Sequence, residues 1–247
     1  MKRLWLTLLA VFPVALSSAA GAAGYREYSF GKIGGWVPLQ SWCDTPGWVL
    51  AVTAPAKDVL MAPQPTTLAQ WVGGKLTTRA YQLGPGDAGA GQIYTALTPA
   101  GQPVSQTPKY FIHSSNVENV QDPAYRMTHI NEFRVPAGSF QCRYVPQAAV
   151  LAATAKHTVI VWERGSKVTY ASRNRDGTPG VQLTGGTHTQ NAQGQEKYVW
   201  TRNGYQYVLE VGNPDHTAHD GGSLSVSRGG NLLSREPLLT YTVSVPR

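Results

Sequence analysis

The side chains best suited to chemistry are His216 and His219, set between Asp215 and Asp220 in "NPDHTAHDGG". Imidazole and carboxylate are ligands for zinc or copper, and a loop gathering these groups, with His188 of "TGGTHT" as a further donor, would make a metal site. The spacing points elsewhere. His-x-x-His shares one face only on a helix, and here Pro214 precedes the pair while Gly221 and Gly222 follow it, the marks of a solvated turn. No metal and no other cofactor is therefore expected. Hydrolytic chemistry finds no purchase either, because the chain has no Gly-x-Ser-x-Gly and no His-Glu-x-x-His, and its acids stand singly. The expectation is a protein without catalysis. A cryptic hydrolase stays as an alternative, since two distant acids can meet across a β-sheet at the roughly 5 to 10 Å that glycosidases use.

The second group of interest is aromatic. In "YVWTRNGYQYVLEV", residues 198 to 211, Asn203-Gly204 is the preferred pair for a two-residue turn with positive φ at both positions. Pairing outward from that turn sets Arg202 opposite Tyr205, Trp200 opposite Tyr207 and Tyr198 opposite Leu209 on one face. Thr201 with Gln206, Val199 with Val208 and Lys197 with Glu210 form the other. The polar face suits water, so the aromatic face packs inward as core. A core would not accept Arg202, however, so the tip is expected to emerge as a rim. Trp200, Arg202, Tyr205 and Tyr207 are thus the candidate binding residues, placed to stack on sugars or grip a partner. "GGWVPLQSWCDTPGWVL" offers a further set, Trp36, Trp42 and Trp48 around Cys43, for which packing on a disulfide or at a subdomain interface is expected over an open sugar platform.

The elements that must hold these residues are strands. Apolar and polar residues alternate, with Val, Ile, Thr and Tyr prominent, in "WVLAVT", "LTTRAYQL", "QIYTAL", "KYFIH", "YRMTHINEFRV", "TVIVWE", "SKVTYAS" and "LLTYTVSV". Gly and Pro clusters such as "GPGDAGAG" and "RDGTPG" punctuate them at short intervals. An all-β fold follows, an antiparallel sandwich or barrel, divisible into two packed β subdomains. Only "PTTLAQWV" and "PQAAVLAATAKH" can turn helically, the second because it is rich in Ala. Its Val and Thr keep a strand open there. The expected organisation is a signal peptide over 1–22, an N-terminal β subdomain over 23–146 and a C-terminal one over 147–247.

The signal peptide is read from Lys2 and Arg3, the apolar "LWLTLLAVFPVAL" and the small-residue "SSAAGAA". Secretion or residence in a periplasm is implied, and no later segment has the roughly twenty apolar residues of a membrane helix, so no transmembrane anchor is expected. An oxidising destination makes Cys43 and Cys142, the only two cysteines, a disulfide that would tie the two halves together. The 21 Lys and Arg against 14 Asp and Glu give a mild positive charge, scattered rather than in runs, which excludes a phosphate-tracking surface and with it nucleic acid.

Residues 160 to 211 also resemble the bacterial envelope inhibitors of c-type lysozyme. Their Gly turn followed by a Val-Thr strand is similar to "ERGSKVTYASRNRDGTPGVQLTGG", and their Trp-Thr-Lys-Gly strand turn to "YVWTRNGYQYVLE", with Trp200, Thr201, Arg202 and Gly204 at the matching positions and Asn203 inserted. The family's Ser-Gly-x-x-Tyr loop has "TGGTH", Thr184 to His188, as counterpart, without its Ser and Tyr. The resemblance implies a small antiparallel β-barrel that inhibits an extracellular hydrolase. From the residues themselves, the expected function is binding of a cell-envelope polysaccharide or protein, with inhibition of a hydrolase such as lysozyme as the alternative.

Overall fold

A computed structural model describes residues 24–59, 62–105, 107–115, 126–143, 145, 147–213 and 221–246. The signal segment and His216 and His219 lie outside the described residues. Every regular element described is a strand. The chain begins with β1 (Tyr25–Ile33), then runs through β2 (Gly35–Thr45), β3 (Trp48–Thr53), β4 (Gln64–Val72), β5 (Lys75–Gly89), β6 (Gln92–Pro99), β7 (Phe111–Ser115), β8 (His129–Val135) and β9 (Gly138–Gln141). A second run follows: β10 (Val150–Thr154), β11 (His157–Arg164), β12 (Lys167–Asn174), β13 (Pro179–Gln190), β14 (Glu196–Arg202), β15 (Tyr205–Val211), β16 (Ser223–Arg228) and β17 (Asn231–Pro246). All pairings are antiparallel between neighbours in each run, the pattern that short Gly turns impose.

Strands β10 to β17 form a closed eight-stranded barrel, because β17 pairs with β16 through its first half and with β10 through its second. The pleat alternation of each strand sends one set of side chains inward. Val159, Val161, Tyr170, Leu183, Tyr198, Trp200, Leu209, Leu238 and Tyr241 fill the interior, nearly all wholly buried. Eight strands leave just enough width for side chains, so this barrel is packed and holds no channel. Thr201 and Gln206 point outward and are exposed. That is apolar-in and polar-out, the arrangement of a barrel in water.

Trp200 sits where it does because of a glycine. A Cβ on Gly186 would come 2.1 Å from the Trp200 indole nitrogen, so only a residue without a side chain lets the ring lie across β13. The indole N–H then donates to the Val168 carbonyl at 3.2 Å, and Tyr170 packs against the ring at 5.0 Å between centroids.

Strands β2 to β9 make a second curled sheet around its own core of Leu50, Leu68, Tyr81, Leu83, Leu97 and Phe133. Its first and last strands meet at the Cys43–Cys142 disulfide. The Arg143 N–H donates to the Asp44 carbonyl at 3.0 Å beside it. The bridge therefore fastens this sheet to itself. It does not join the two halves, as expected from sequence, because Cys142 returns to β2 before the chain crosses to the barrel. What joins the halves is β1, which pairs with β17 from Tyr25↔Pro246 to Gly31↔Thr240 before turning into β2. An apolar seam adds to that join, with Leu39, Trp42, Ala51 and Trp71 packed on Leu151, Ala153 and Leu239.

Neither segment with helical potential forms a helix. "PTTLAQWV" is β4, where Leu68 faces the core of the curled sheet and Thr66 bonds Thr53 across β3. "VLAAT" is β10, and its Ala152 and Ala153 are fully buried. Tertiary burial on both faces overrides the intrinsic preference of alanine.

Candidate binding rim of the barrel

The hairpin of β14 and β15 turns at Asn203 and Gly204, with φ of 52° and 78°, and its pairing runs Arg202↔Tyr205, Trp200↔Tyr207 and Tyr198↔Leu209. Of the four candidate residues, Trp200 is 1% exposed and its one donor is engaged, so it meets no ligand. Tyr207 is half-buried against Tyr170, ring centroids 6.0 Å apart. Arg202 and Tyr205 continue the same inward face past the end of the core, where the barrel opens. Arg202 is exposed and donates from Nη1 to the Gln182 carbonyl at 3.1 Å, and Tyr205 is partly exposed.

The adjacent hairpin, β16 to β17, ends at the same mouth. Its register puts Arg228 opposite Tyr205, and the Arg228 guanidinium lies over the Tyr205 ring at 4.9 Å from the centroid. A bulge after Val226 then disturbs the ladder. Leu232 and Leu233, beyond the Gly229-Gly230 turn, are 62% and 57% exposed, the most open of the large apolar side chains described. Arg202, Tyr205 and Arg228 thus gather on one side of the rim, while Leu232, opposite Ser227, lies on the outward face of the neighbouring hairpin with Leu233 at the bulge. Reading the sequence singled out the first two. Arg228 was legible only through the long-range register, and "GGNLLS" carried a signal that passed unused, two leucines directly after a Gly-Gly turn.

The opposite mouth is closed by charge. His188 is held between two carboxylates, Nδ1 to Glu163 at 2.7 Å and Nε2 to Glu196 at 2.5 Å, and its ring stacks on Tyr198 at 4.2 Å. Arg126, arriving from before β8, pairs with Glu163 at 3.1 Å and lies over the Tyr25 ring. Asn213 donates to the far oxygen of Glu196. Burial opposes charge on His188, but the hydrogen bonds it donates to Glu163 and Glu196 outweigh it and hold the imidazolium pKa up at about 9. Burial likewise opposes charge on both glutamates, and their bonds to His188 win, lowering both. Both ring nitrogens of His188 are committed to carboxylates, and His216 and His219, the other candidates for a metal, lie outside the described residues.

The three tryptophans around Cys43 serve packing. Trp42 is buried at the seam and donates to Thr242 Oγ1 at 2.7 Å. Trp48 packs on Phe140 beside the disulfide and Trp36 on Tyr241.

No family model, curated protein or solved structure matches this chain. The geometry of its own surfaces must carry the functional argument.

Proposed function

We propose that this is an exported, non-catalytic binding protein that holds a protein partner with an acidic face through the rim of its closed barrel. The observation that supports the reading most directly is the exposed pair Leu232 and Leu233 on the hairpin that also carries Arg228, which in turn lies over Tyr205. The barrel interior is filled, so it holds nothing inside. Arg and Tyr flanking an apolar patch is the composition of protein-binding surfaces, where they anchor contacts and large apolar groups are desolvated. A polysaccharide, the other partner class, is served less well, because Trp200 is buried and Tyr207 packs against Tyr170. The two acids that meet, Glu163 and Glu196, are spent on His188, which leaves a hydrolase without an obvious pair. Inhibition of an extracellular hydrolase is the second reading, favoured by Arg202, which stands at the rim where the resemblance places a lysine.

A photo-crosslinker introduced at Leu233 in the producing cell tests this, with a control at outward-facing Thr169 on β12. One defined protein adduct at Leu233, lost in the Arg202→Glu, Arg228→Glu double variant, is the expected result. Equal adducts at both positions, or co-sedimentation with cell-wall polysaccharide that Tyr205→Ala abolishes, would replace the protein partner with a sugar or with none. If the adduct is a secreted hydrolase whose turnover falls on titration, the second reading becomes the function.

A further inference from the structure

Where β2 and the end of β9 are held by the disulfide and the backbone bond beside it, the sheet below stays open. Between β2 (residues 39–42) and the start of β8 lies a cavity of about 430 Å³, with strands β10 and β17 of the barrel on its far side. Its size is that of a small-molecule site. Two polar groups on its wall are buried and unanswered. Ser41 is 7% exposed and its Oγ has no hydrogen-bond partner among the described residues. The Arg143 side chain is 8% exposed, and its Nη2 likewise has none.

The charges around Arg143 explain what is missing. Asp44 is fully buried and takes Arg143 Nε at 3.1 Å on one oxygen and Arg175 Nη1 at 2.6 Å on the other. Thr158 Oγ1 donates to the same carboxylate at 2.7 Å and accepts from Arg143 Nη1 and Arg175 Nη2. Two guanidinium groups thus share one carboxylate, and Arg173 adds a third positive charge nearby. Of the three cations only Arg143 is deeply buried, Arg175 being partly exposed and Arg173 open to solvent, and a buried guanidinium with a spare N–H is under-compensated until an acceptor answers it. The remaining wall is mixed: Ser114, Thr95 and Gln40 supply hydroxyl and amide groups, while Leu39, Ile112 and Leu151 supply apolar surface. Glu27, which accepts the Thr128 N–H at 2.8 Å and whose pKa desolvation raises, brings a carboxyl to the wall, and Asp44 on the same wall disfavours a dianion.

We infer that this seam cavity binds a small hydroxylated monocarboxylate of sugar-acid size, its carboxylate on Arg143 Nη2 and Ser41 Oγ and its hydroxyls on the polar wall. The carboxylate supplies the acceptor that the spare N–H and the Ser41 hydroxyl lack, and the apolar residues face the C–H side of a sugar ring. The site is separate from the barrel rim and independent of what the rim holds.

D-glucuronate is the probe, titrated calorimetrically against the full chain, with D-glucose and inorganic phosphate as comparators. Saturable one-to-one binding of glucuronate, at least tenfold tighter than glucose or phosphate, is expected. Ser41→Ala, which removes a hydroxyl that bonds nothing in the protein, should weaken it several-fold at unchanged thermal midpoint. Arg143→Gln should abolish it. Because that variant disturbs the Asp44 cluster, its fold is checked by circular dichroism, and Ser41→Ala decides where it fails to fold. Absence of saturable glucuronate binding, glucose or phosphate binding as tightly, or full affinity in Ser41→Ala would each overturn the assignment.

Discussion

In the second barrel β10 and β17 complete the ring through a ladder from Val150↔Val243 to Thr154↔Leu238, whereas in the first sheet β2 and β9 are held by one disulfide and a flanking backbone bond. The interiors differ in step. The laddered barrel is filled by Tyr170, Tyr198, Trp200 and Tyr241, and the stapled sheet leaves a cavity at its open edge. A ladder satisfies every backbone group along the seam and brings strands to about 4.8 Å, so nothing larger than a side chain fits between. A single covalent link fixes two points and lets the rest of the edge stand apart. The difference teaches that, in this chain, the mode of closure decides which half has room for a small ligand and which can only offer its outside.

Removing the staple is the largest break available. The link closes a loop with a sequence separation of 99. The chain-entropy argument gives a loss of about 4 to 5 kcal/mol for the Cys43→Ser, Cys142→Ser pair. Urea unfolding should then split into two steps, the stapled sheet opening first while the near-ultraviolet signal of the aromatic barrel persists. A single transition shifted as a whole would mean that β1 and the apolar seam couple the halves too tightly for closure to be a local property.

The converse break is Trp200→Ala. Removing a wholly buried indole from a filled interior should cost about 3 to 5 kcal/mol, with the barrel now melting before the stapled sheet. Unchanged stability together with lost partner binding would instead place the ring at the surface and contradict its contact with Gly186.

These two experiments also mark what the sequence could convey. The hairpin was legible to the residue, because Asn203-Gly204 fixes a turn geometry and period two fixes everything outward from it. Alternation likewise gave the all-β class. It could not give the closure: β1 pairs with β17 more than 200 positions away, and no local pattern carries that information. Depth was legible only in part. The charge on Arg202 marks the tip as rim, but Trp200, Tyr205 and Tyr207 share its face, and only the position of the mouth decides how deep each ring lies. The cluster of Glu163, His188 and Glu196 comes from three strands whose side chains meet solely because the barrel closes. Gly186, in the "TGGTH" that the resemblance makes a loop, lies in β13, and its reason is the indole above it.

At the charged mouth the comparison can be sharpened by pH. His188 carries a folded-state pKa of about 9, above the roughly 6.5 of an unfolded imidazole. Its contribution is therefore complete below about pH 6.5 and disappears as pH rises toward 9, since the folded state gives up its proton last. With a third of the side chain exposed, screening leaves about 1 to 2 kcal/mol. The barrel transition should lose that much between pH 6.5 and 9 while the stapled sheet does not follow it, and His188→Gln should flatten the profile. A profile that keeps its slope in His188→Gln would assign the titration to another group.

The smallest effect separates the two sides of the open seam. Thr158 Oγ1 stands at the centre of the Asp44 cluster, bonded to Asp44, Arg143 and Arg175. Thr158→Ala strips a buried carboxylate and two guanidinium groups of a partner and should cost about 1 to 3 kcal/mol. Ser41→Ala removes a hydroxyl that was desolvated on folding without gaining a bond, so stability should hold within about 0.5 kcal/mol or rise slightly. Ser41 Oγ and Arg143 Nη2 face the cavity side of the cluster, and although Arg175 Nε is also without a partner, Ser41 is the group whose removal costs the protein no bond of its own. Were Ser41→Ala to cost as much as Thr158→Ala, the hydroxyl would be holding the protein together, and the open edge would be a packing feature rather than a site.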